Sequence, residues 1–209
     1  MLTLVGGGPQ TGIDACAGSP SRTPIPAEVD AARPLSLVAV TVDDPPELTV
    51  HRAKVGHVRQ IKSLVDAYAG PILLQKTLAN LFEDVTEFWV AEQGGVVVGC
   101  GALHVLWEDL GEIRTVATDP AARRHGVGRA VCTEIIDQAK HLGLHRLFVL
   151  TFEVEFFRSL GFEPIRELDL SREAYAELRS SYDRGVAEFL DLPYVKPNTL
   201  GNTRMLKVL

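Results

Sequence analysis

Three observations place this 209-residue chain in the α/β (α+β) class, with a mixed central sheet of six to seven strands flanked by helices. Runs rich in β-branched and aromatic residues alternate with helix-periodic runs from Leu48 to the C-terminus. One extended run, Glu112 to Thr118, closes on Asp119-Pro120 and leads through a glycine-punctuated loop into a helical segment. Hydrophobic residues make up 46% of the chain and charged residues 23%, enough apolar material for one core.

Residues 1–47 are rich in Gly, Pro, Ser and Ala and are interrupted by Gly6-Gly7-Gly8-Pro9, Ser19-Pro20, Pro24, Pro26 and Pro45-Pro46. They read as a disordered N-terminal extension in which Leu35 to Val42 has some strand character. The domain, residues 48–209, starts with a strand from Leu48 to Arg52. A helix follows from about His57 to Tyr68, with Val58, Ile61, Leu64, Val65 and Tyr68 at helical spacing, and Gly70-Pro71 stops it. A second helix spans about Thr77 to Thr86. Phe88 to Glu92, the turn Gln93-Gly94-Gly95 and Val96 to Leu106 form a β-hairpin, and Trp107 to Gly111 turns into the strand that starts at Glu112. Arg129 to Leu142 is helical until Gly143, and His145 to Thr151 is a buried strand. A short helix from Glu153 to Leu160, a strand from Glu163 to Leu168, a helix capped by Ser171 and reaching about Tyr182, and a strand from Thr203 to Leu209 complete the order.

Net charge is −6, from 21 basic and 27 acidic groups without a basic block, which argues against nucleic acid as the main partner. The run Leu35 to Val42 is too short to span a bilayer, and the N-terminus lacks a basic region followed by an apolar one. The expectation is a cytoplasmic protein that does not engage membranes. Cys16, Cys100 and Cys132 are odd in number and lack metal-type spacing, so they read as reduced thiols, the latter two in the core. The six histidines show no ligand spacing either, and no metal is expected.

The chemistry concentrates in Arg123-Arg124-His125-Gly126-Val127-Gly128. A strand, a glycine loop and a helix in that order bring backbone N–H groups and a helix N-terminus to one point, a geometry suited to phosphate. The loop lacks the lysine-then-hydroxyl ending of a P-loop and the third glycine of a dinucleotide fingerprint. A tight strand-to-helix connection is the alternative reading.

Arg/Gln-x-x-Gly-x-Gly/Ala directly after a strand resembles the pyrophosphate loop of the GNAT superfamily, the acyl-CoA-dependent N-acyltransferases. The order of elements from Leu48 to Leu209 resembles the GNAT fold throughout, and Phe156-Phe157-x-x-Leu160-Gly161-Phe162 resembles its second signature. Gly99 to Leu103, Gly111-Glu112-Ile113, Leu147 to Thr151, Leu73 to Thr77 and Asn202 to Leu206 look like the acetyltransferase domain of bacterial N-acetylglutamate synthases. About fifty residues precede the domain here, so the resemblance implies a short form without the kinase-like domain of the larger enzymes.

The resemblance implies acetyl-CoA as co-substrate and an amine acceptor, L-glutamate or a similar small amino acid. Glu112, fourteen residues before Gly126, matches the glutamate that serves as general base in several relatives; its alternative is an exposed strand-end carboxylate. Amides around Val116, Ala117 and Thr118 would hold the thioester and pantetheine arm. Arg123, Arg124, His125, Gly126, Val127, Gly128 and Arg129 would take the diphosphate, with Phe157 beside the thiol arm. Many relatives place a thiolate-protonating tyrosine where this chain has Phe157, so the acid is unassigned. Carboxylates of the acceptor need cations or strong donors, and the candidates are Lys76, Arg114, Lys196, Asn202 and Arg204. Each of these cations also reads as a solvated surface charge. The family's Arg-Arg-Ser-Lys tail is Gly201-Asn202-Thr203-Arg204 here, which leaves glutamine open as acceptor. The rival functions are a related enzyme acting on an aminoglycoside or a protein N-terminus, and a non-catalytic acyl-CoA-binding sensor. Pairing through terminal strands would make a homodimer.

Overall fold

The computed structural model describes residues 46–70, 73, 75–166, 169–181, 190 and 201–209. The expected extension up to Pro45, with Cys16 and Leu35 to Val42, lies outside the described residues, as does Lys196. The elements run β1 (Leu48–Arg52), a 3-10 turn (Val55–His57), α1 (Val58–Asp66), α2 (Leu78–Glu83), a second 3-10 turn (Val85–Glu87), β2 (Phe88–Gln93), β3 (Val96–Trp107) and β4 (Leu110–Thr118). After a third 3-10 turn (Pro120–Ala122) come α3 (Val127–His141), β5 (Arg146–Thr151), α4 (Val154–Arg158), β6 (Glu163–Pro164), α5 (Arg172–Leu178) and β7 (Thr203–Val208).

The seven strands form one sheet in the order β1-β2-β3-β4-β5-β7-β6, and every pairing is antiparallel except β4 with β5. Gly94 and Gly95, with φ of 58° and 81°, make the turn between β2 and β3, whose twist suits a two-residue hairpin. Side chains of alternate residues define two faces. On one, α3 packs with Val131, Ile135 and Ala139 against Trp89, Leu103, Ile113 and Leu147, joined by Phe157 and Phe162. On the other, Val58, Ile61, Leu64 and Val65 of α1 and Leu81 of α2 cover Phe88, Val90, Cys100, Ala102 and Ala117. Farther along that second face, Leu178 of α5 covers Leu106, Leu110 and Phe148.

Several boundaries differ from the sequence reading. The second helix stops at Glu83 instead of Thr86, because the β-branched pair Val85-Thr86 passes into a 3-10 turn. Its start is fixed by Thr77, whose hydroxyl accepts from Asn80 N–H at 3.1 Å. The turn between β3 and β4 shrinks to Glu108-Asp109, so Glu112 sits within a strand and not at its opening. Helix α3 starts two residues early, directly after Gly126, whose φ of 81° suits a residue without a Cβ. Helix α4 covers only Val154–Arg158, and the helix after Ser171 ends at Leu178. Of the strand expected from Glu163, two residues pair with β7, and residues 167–168 are outside the described set.

Candidate active site

Strand β4 organises the site because its two edges are treated differently. Toward β3 it is paired along most of its length, from Leu110 to Thr118. Toward β5 only Leu110, Gly111 and Glu112 are in register, opposite Arg146, Leu147 and Phe148. Past Glu112 the two parallel strands part. The cause lies in a bulge: between the pairs Ala102–Arg114 and Cys100–Ala117, two β4 residues oppose one on β3. Thr115 takes φ 57° there, a left-handed conformation costly for a β-branched residue. The bulge shifts the alternation of faces, so Glu112, Arg114 and then Ala117 lie on the α1/α2 face while Ile113 and Val116 join the α3 core.

Beyond the bulge, Asp119 N–H donates to Val98 O at 2.8 Å. The Thr118 carbonyl belongs to the same peptide plane and points the opposite way, toward the edge that β5 has left. Of the three residues expected to serve the pantetheine arm, Thr118 therefore presents backbone to the opening, whereas Ala117 pairs back to Cys100 on β3.

The loop after β4 is drawn tight. Asp119 Oδ1 accepts from Ala121 N–H at 2.8 Å, and the 3-10 turn that follows leads to Arg123, Arg124 and His125, all exposed. Arg124 has φ 65° and Gly126 φ 81°, so the chain doubles back before α3. Nothing lies within 4 Å of the position a Gly126 Cβ would occupy, and the mouth of the loop is open. Val127, 4% exposed, anchors the helix start in the core. The first bond within the helix is Ala130 N–H to Gly126 O at 2.9 Å, so the amides of Val127, Gly128 and Arg129 precede it. No acidic residue occupies the first turn, while Lys140 and His141 occupy the last, a charge order that leaves the positive end of the dipole to an anion. The Arg129 guanidinium is turned away from the loop, donating to Ser159 Oγ at 2.6 Å beside α4. Phe156 stands over Gly128, and Phe157 is 4% exposed between Phe156 and Phe162, edge to face with both.

Across the sheet lies the second half of the site. Glu112 is only 7% exposed, opposite His104 on β3 and Phe148 on β5. A buried carboxylate there excludes the reading of an exposed strand-end charge. On the same face, Arg114 Nη2 lies 2.8 Å from Glu87 Oε2 and 3.8 Å from Asp84 Oδ2. Lys76 Nζ donates to Asp84 Oδ2 at 2.8 Å, and His104 Nδ1 lies 2.8 Å from Glu87 Oε1. Burial pushes the Glu87 carboxyl up, but the hydrogen bond from His104 and the charge of Arg114 outweigh it and hold the group below its ordinary value. Glu87 is therefore a carboxylate, and His104 Nδ1 is the donor toward it. Of the predicted acceptor-binding cations, Arg114 lies two residues from Glu112 on the same face and Lys76 joins Arg114 through Asp84, each already facing an acid.

Arg204 pairs with Leu150 and shares the face of Leu206 and Phe148, two strands from Glu112; Asn202 lies just ahead of β7. Sequence reasoning missed Asp84, Glu87 and His104. The signal available was two carboxylates in the short stretch between a helix and a strand, which reads equally as a solvated helix end. Among the described residues, no group of three or more His, Cys, Asp or Glu side chains is arranged to hold a metal, and no helix is long and apolar enough to cross a membrane.

This arrangement sets an anion-receptive loop at one end of a parted strand pair and a buried carboxylate with flanking cations on the other face. Comparison with known proteins gives it a chemical context. Residues 59–162 match the acetyltransferase (GNAT) family model. A Mycobacterium tuberculosis protein named amino-acid acetyltransferase is 59% identical over 163 residues, which cover 77% of this chain and 94% of that protein. The crystal structure of Rv2747 from M. tuberculosis in complex with CoA and NLQ aligns with a TM-score of 0.75 at 58% identity, over 77% of this chain and 99% of that one. N-acetylglutamate synthase from Neisseria gonorrhoeae, complexed with coenzyme A and N-acetyl-glutamate, aligns with a TM-score of 0.63 at 26% identity, over 79% of this chain and 36% of that one. The chain belongs to the acetyltransferase (GNAT) family, as an acetyl-CoA-dependent amino-acid acetyltransferase.

Proposed function

We propose that residues 48–209 form a cytoplasmic catalytic domain that transfers the acetyl group of acetyl-CoA to the α-amine of L-glutamate, the opening step of arginine biosynthesis. The observation that carries this reading is the placement of buried Glu112 and half-buried Arg114 on one strand face, beside the gap where β4 leaves β5, with the Arg123–Gly128 loop at the gap's end. The loop amides and the α3 N-terminus hold the diphosphate. Thr118, with Val116 and Ala117 around it, lines the path of the pantetheine arm, and Phe157 packs beside it.

In the reaction the amine nitrogen attacks the thioester carbonyl carbon. Glu112 removes the amine proton, directly or through a water, and backbone N–H groups at the β4 opening hold the tetrahedral oxyanion. The C–S bond then breaks and CoA leaves as thiolate, since Phe157 has no proton to give; a thiol's acidity makes that exit tolerable. Arg114, Lys76, Arg204, Asn202 and Lys196 orient the acceptor's carboxylates. Asp84 and Glu87 fix Lys76 and Arg114 in place before substrate arrives.

The same two acids favour a second reading, L-glutamine as acceptor, because they offset part of the positive charge that a second carboxylate would use. The N. gonorrhoeae neighbour's complex with N-acetyl-glutamate supports the first reading. Thiol release from acetyl-CoA should be followed with L-glutamate, L-glutamine, an aminoglycoside and a peptide N-terminus. A kcat/KM for L-glutamate at least as high as for the other amines supports the proposal. Preference for the aminoglycoside or peptide refutes it, and tight acetyl-CoA binding without turnover on any amine refutes catalysis.

A further inference from the structure

The parting of β4 from β5 leaves the Thr118 carbonyl facing the opening, immediately before the loop. A lone carbonyl oxygen there sets negative partial charge beside the place where a diphosphate is to bind. The structure provides a partner from 50 residues earlier in the chain: the Tyr68 hydroxyl donates to Thr118 O at 2.7 Å. The same ring carries the Arg123 guanidinium, 5.5 Å from its centroid. Arg123 is the first residue of the loop motif.

Tyr68 is itself held firmly. It follows α1, with its N–H bonded to Val65 O at 3.0 Å and its carbonyl accepting from Leu73 N–H at 3.0 Å. Gly70, at φ 94°, donates its N–H to Leu73 O at 2.9 Å. The ring is half-buried against the core under α1 and α2. A rigid phenol thus meets both the last carbonyl of β4 and the first side chain of the loop.

We propose that Tyr68 is a positioning residue for cofactor binding. Its hydroxyl draws negative potential off the Thr118 carbonyl, and its face restrains Arg123 by a cation–π contact, so less side-chain freedom is lost when the diphosphate arrives. This rests on reading the Arg123–Gly128 segment as the diphosphate loop. It goes further in assigning a role to a residue outside the loop, on a different element, that touches no reacting atom.

The test is Tyr68→Phe, which keeps the ring and removes the hydroxyl. Titration with CoA should show a Kd weaker by roughly three- to tenfold, the range of one lost hydrogen bond. With L-glutamate as acceptor, KM for acetyl-CoA should rise by a similar factor while kcat stays within about twofold, as expected when only binding shared by ground and transition states is lost. S-acetyl-pantetheine, which has the thioester arm but no diphosphate, should be used equally well by Tyr68→Phe and the wild type. Tyr68→Leu, which also loses the aromatic face, should weaken CoA binding further than Tyr68→Phe. Gly126→Val serves as the loop control. If Gly126→Val weakens CoA binding and Tyr68→Phe does not, the role of Tyr68 is refuted and the loop reading stands. Should neither variant alter CoA affinity, the loop reading falls as well. An equal loss with S-acetyl-pantetheine and acetyl-CoA would mark Tyr68 as a general structural residue and overturn the proposal.

Discussion

Glu112→Gln keeps the shape of a nearly buried side chain while removing its charge and its basicity. The pairs Lys76–Asp84 and Arg114–Glu87, both at 2.8 Å, are made without Glu112 and persist in the variant. No cavity opens and no volume is added, so the cost to folding is confined to the buried carboxylate's own polar contacts, on the order of 1 to 3 kcal/mol. The chemical step should respond far more strongly. A positioned general base contributes roughly 100- to 10,000-fold, which is about 3 to 5 kcal/mol of barrier. Thiol release with acetyl-CoA and L-glutamate, followed from about pH 7 to 9.5, should show kcat reduced by that factor at neutral pH. CoA affinity should remain unchanged, because Glu112 lies on the opposite face from the α3 start. The deficit should narrow as pH rises, because more of the amine then arrives already deprotonated and needs no base. A fall in kcat of less than about threefold, or a deficit that is the same at every pH, would refute the assignment of Glu112 as base.

Other consequences follow from the same structure. Burial pushes the Cys100 and Cys132 thiols up to about 12, so both stay protonated at pH 8; peptide mapping should find neither alkylated by iodoacetamide in the native protein and both alkylated after denaturation. Rapid native labelling of either would contradict their place in the core. A Cβ on Gly99 would collide with Val127 Cγ1, so Gly99→Ala should cost about 1 to 3 kcal/mol in thermal or denaturant unfolding. Val127→Ala should recover part of that loss in a double-mutant cycle, and additive costs would count against the contact. The hydrogen bond from Arg146 to Asp109 holds that carboxyl below its ordinary range, against the opposing effect of burial. A folded-state value lowered in this way stabilises fully above the unfolded pKa near 4 and is lost as pH falls through the lowered folded value. The stability gap between wild type and Asp109→Asn should therefore be greatest near neutral pH and shrink on acidification below about pH 4, whereas a gap that widens there would contradict the pairing.

The order of elements along the chain and the loop were legible because their signals are local. Alternation marks the hairpin of β2 and β3, the pair Gly94-Gly95 marks its turn, and glycines punctuate the entry to α3. The acceptor face was only half legible. Arg114 could be placed with Glu112 by strand alternation, since the bulge falls one residue later. Nothing local announces that bulge, because a threonine at positive φ carries no compositional mark and owes its conformation to the pairing of β3 with β4. Glu87 and His104 lie 17 residues apart and meet only through the register of the sheet. Lys76 looked available to a substrate carboxylate until the fold of α2 brought Asp84 onto it. Arg129 reads as part of the phosphate loop by position, yet its guanidinium reaches Ser159 beside α4, a contact that depends on how α4 packs on α3.

The central claim is that the amides after β4 grip the diphosphate of acetyl-CoA and present its thioester at the β4–β5 opening. A crystal structure of this chain with CoA tests it most directly. The account predicts diphosphate oxygens about 2.8 to 3.1 Å from backbone nitrogens of the Arg123–Arg129 segment, with the thiol arm running past Thr118 toward Glu112. A diphosphate bound elsewhere on the protein, or a thiol directed away from Glu112, would contradict it.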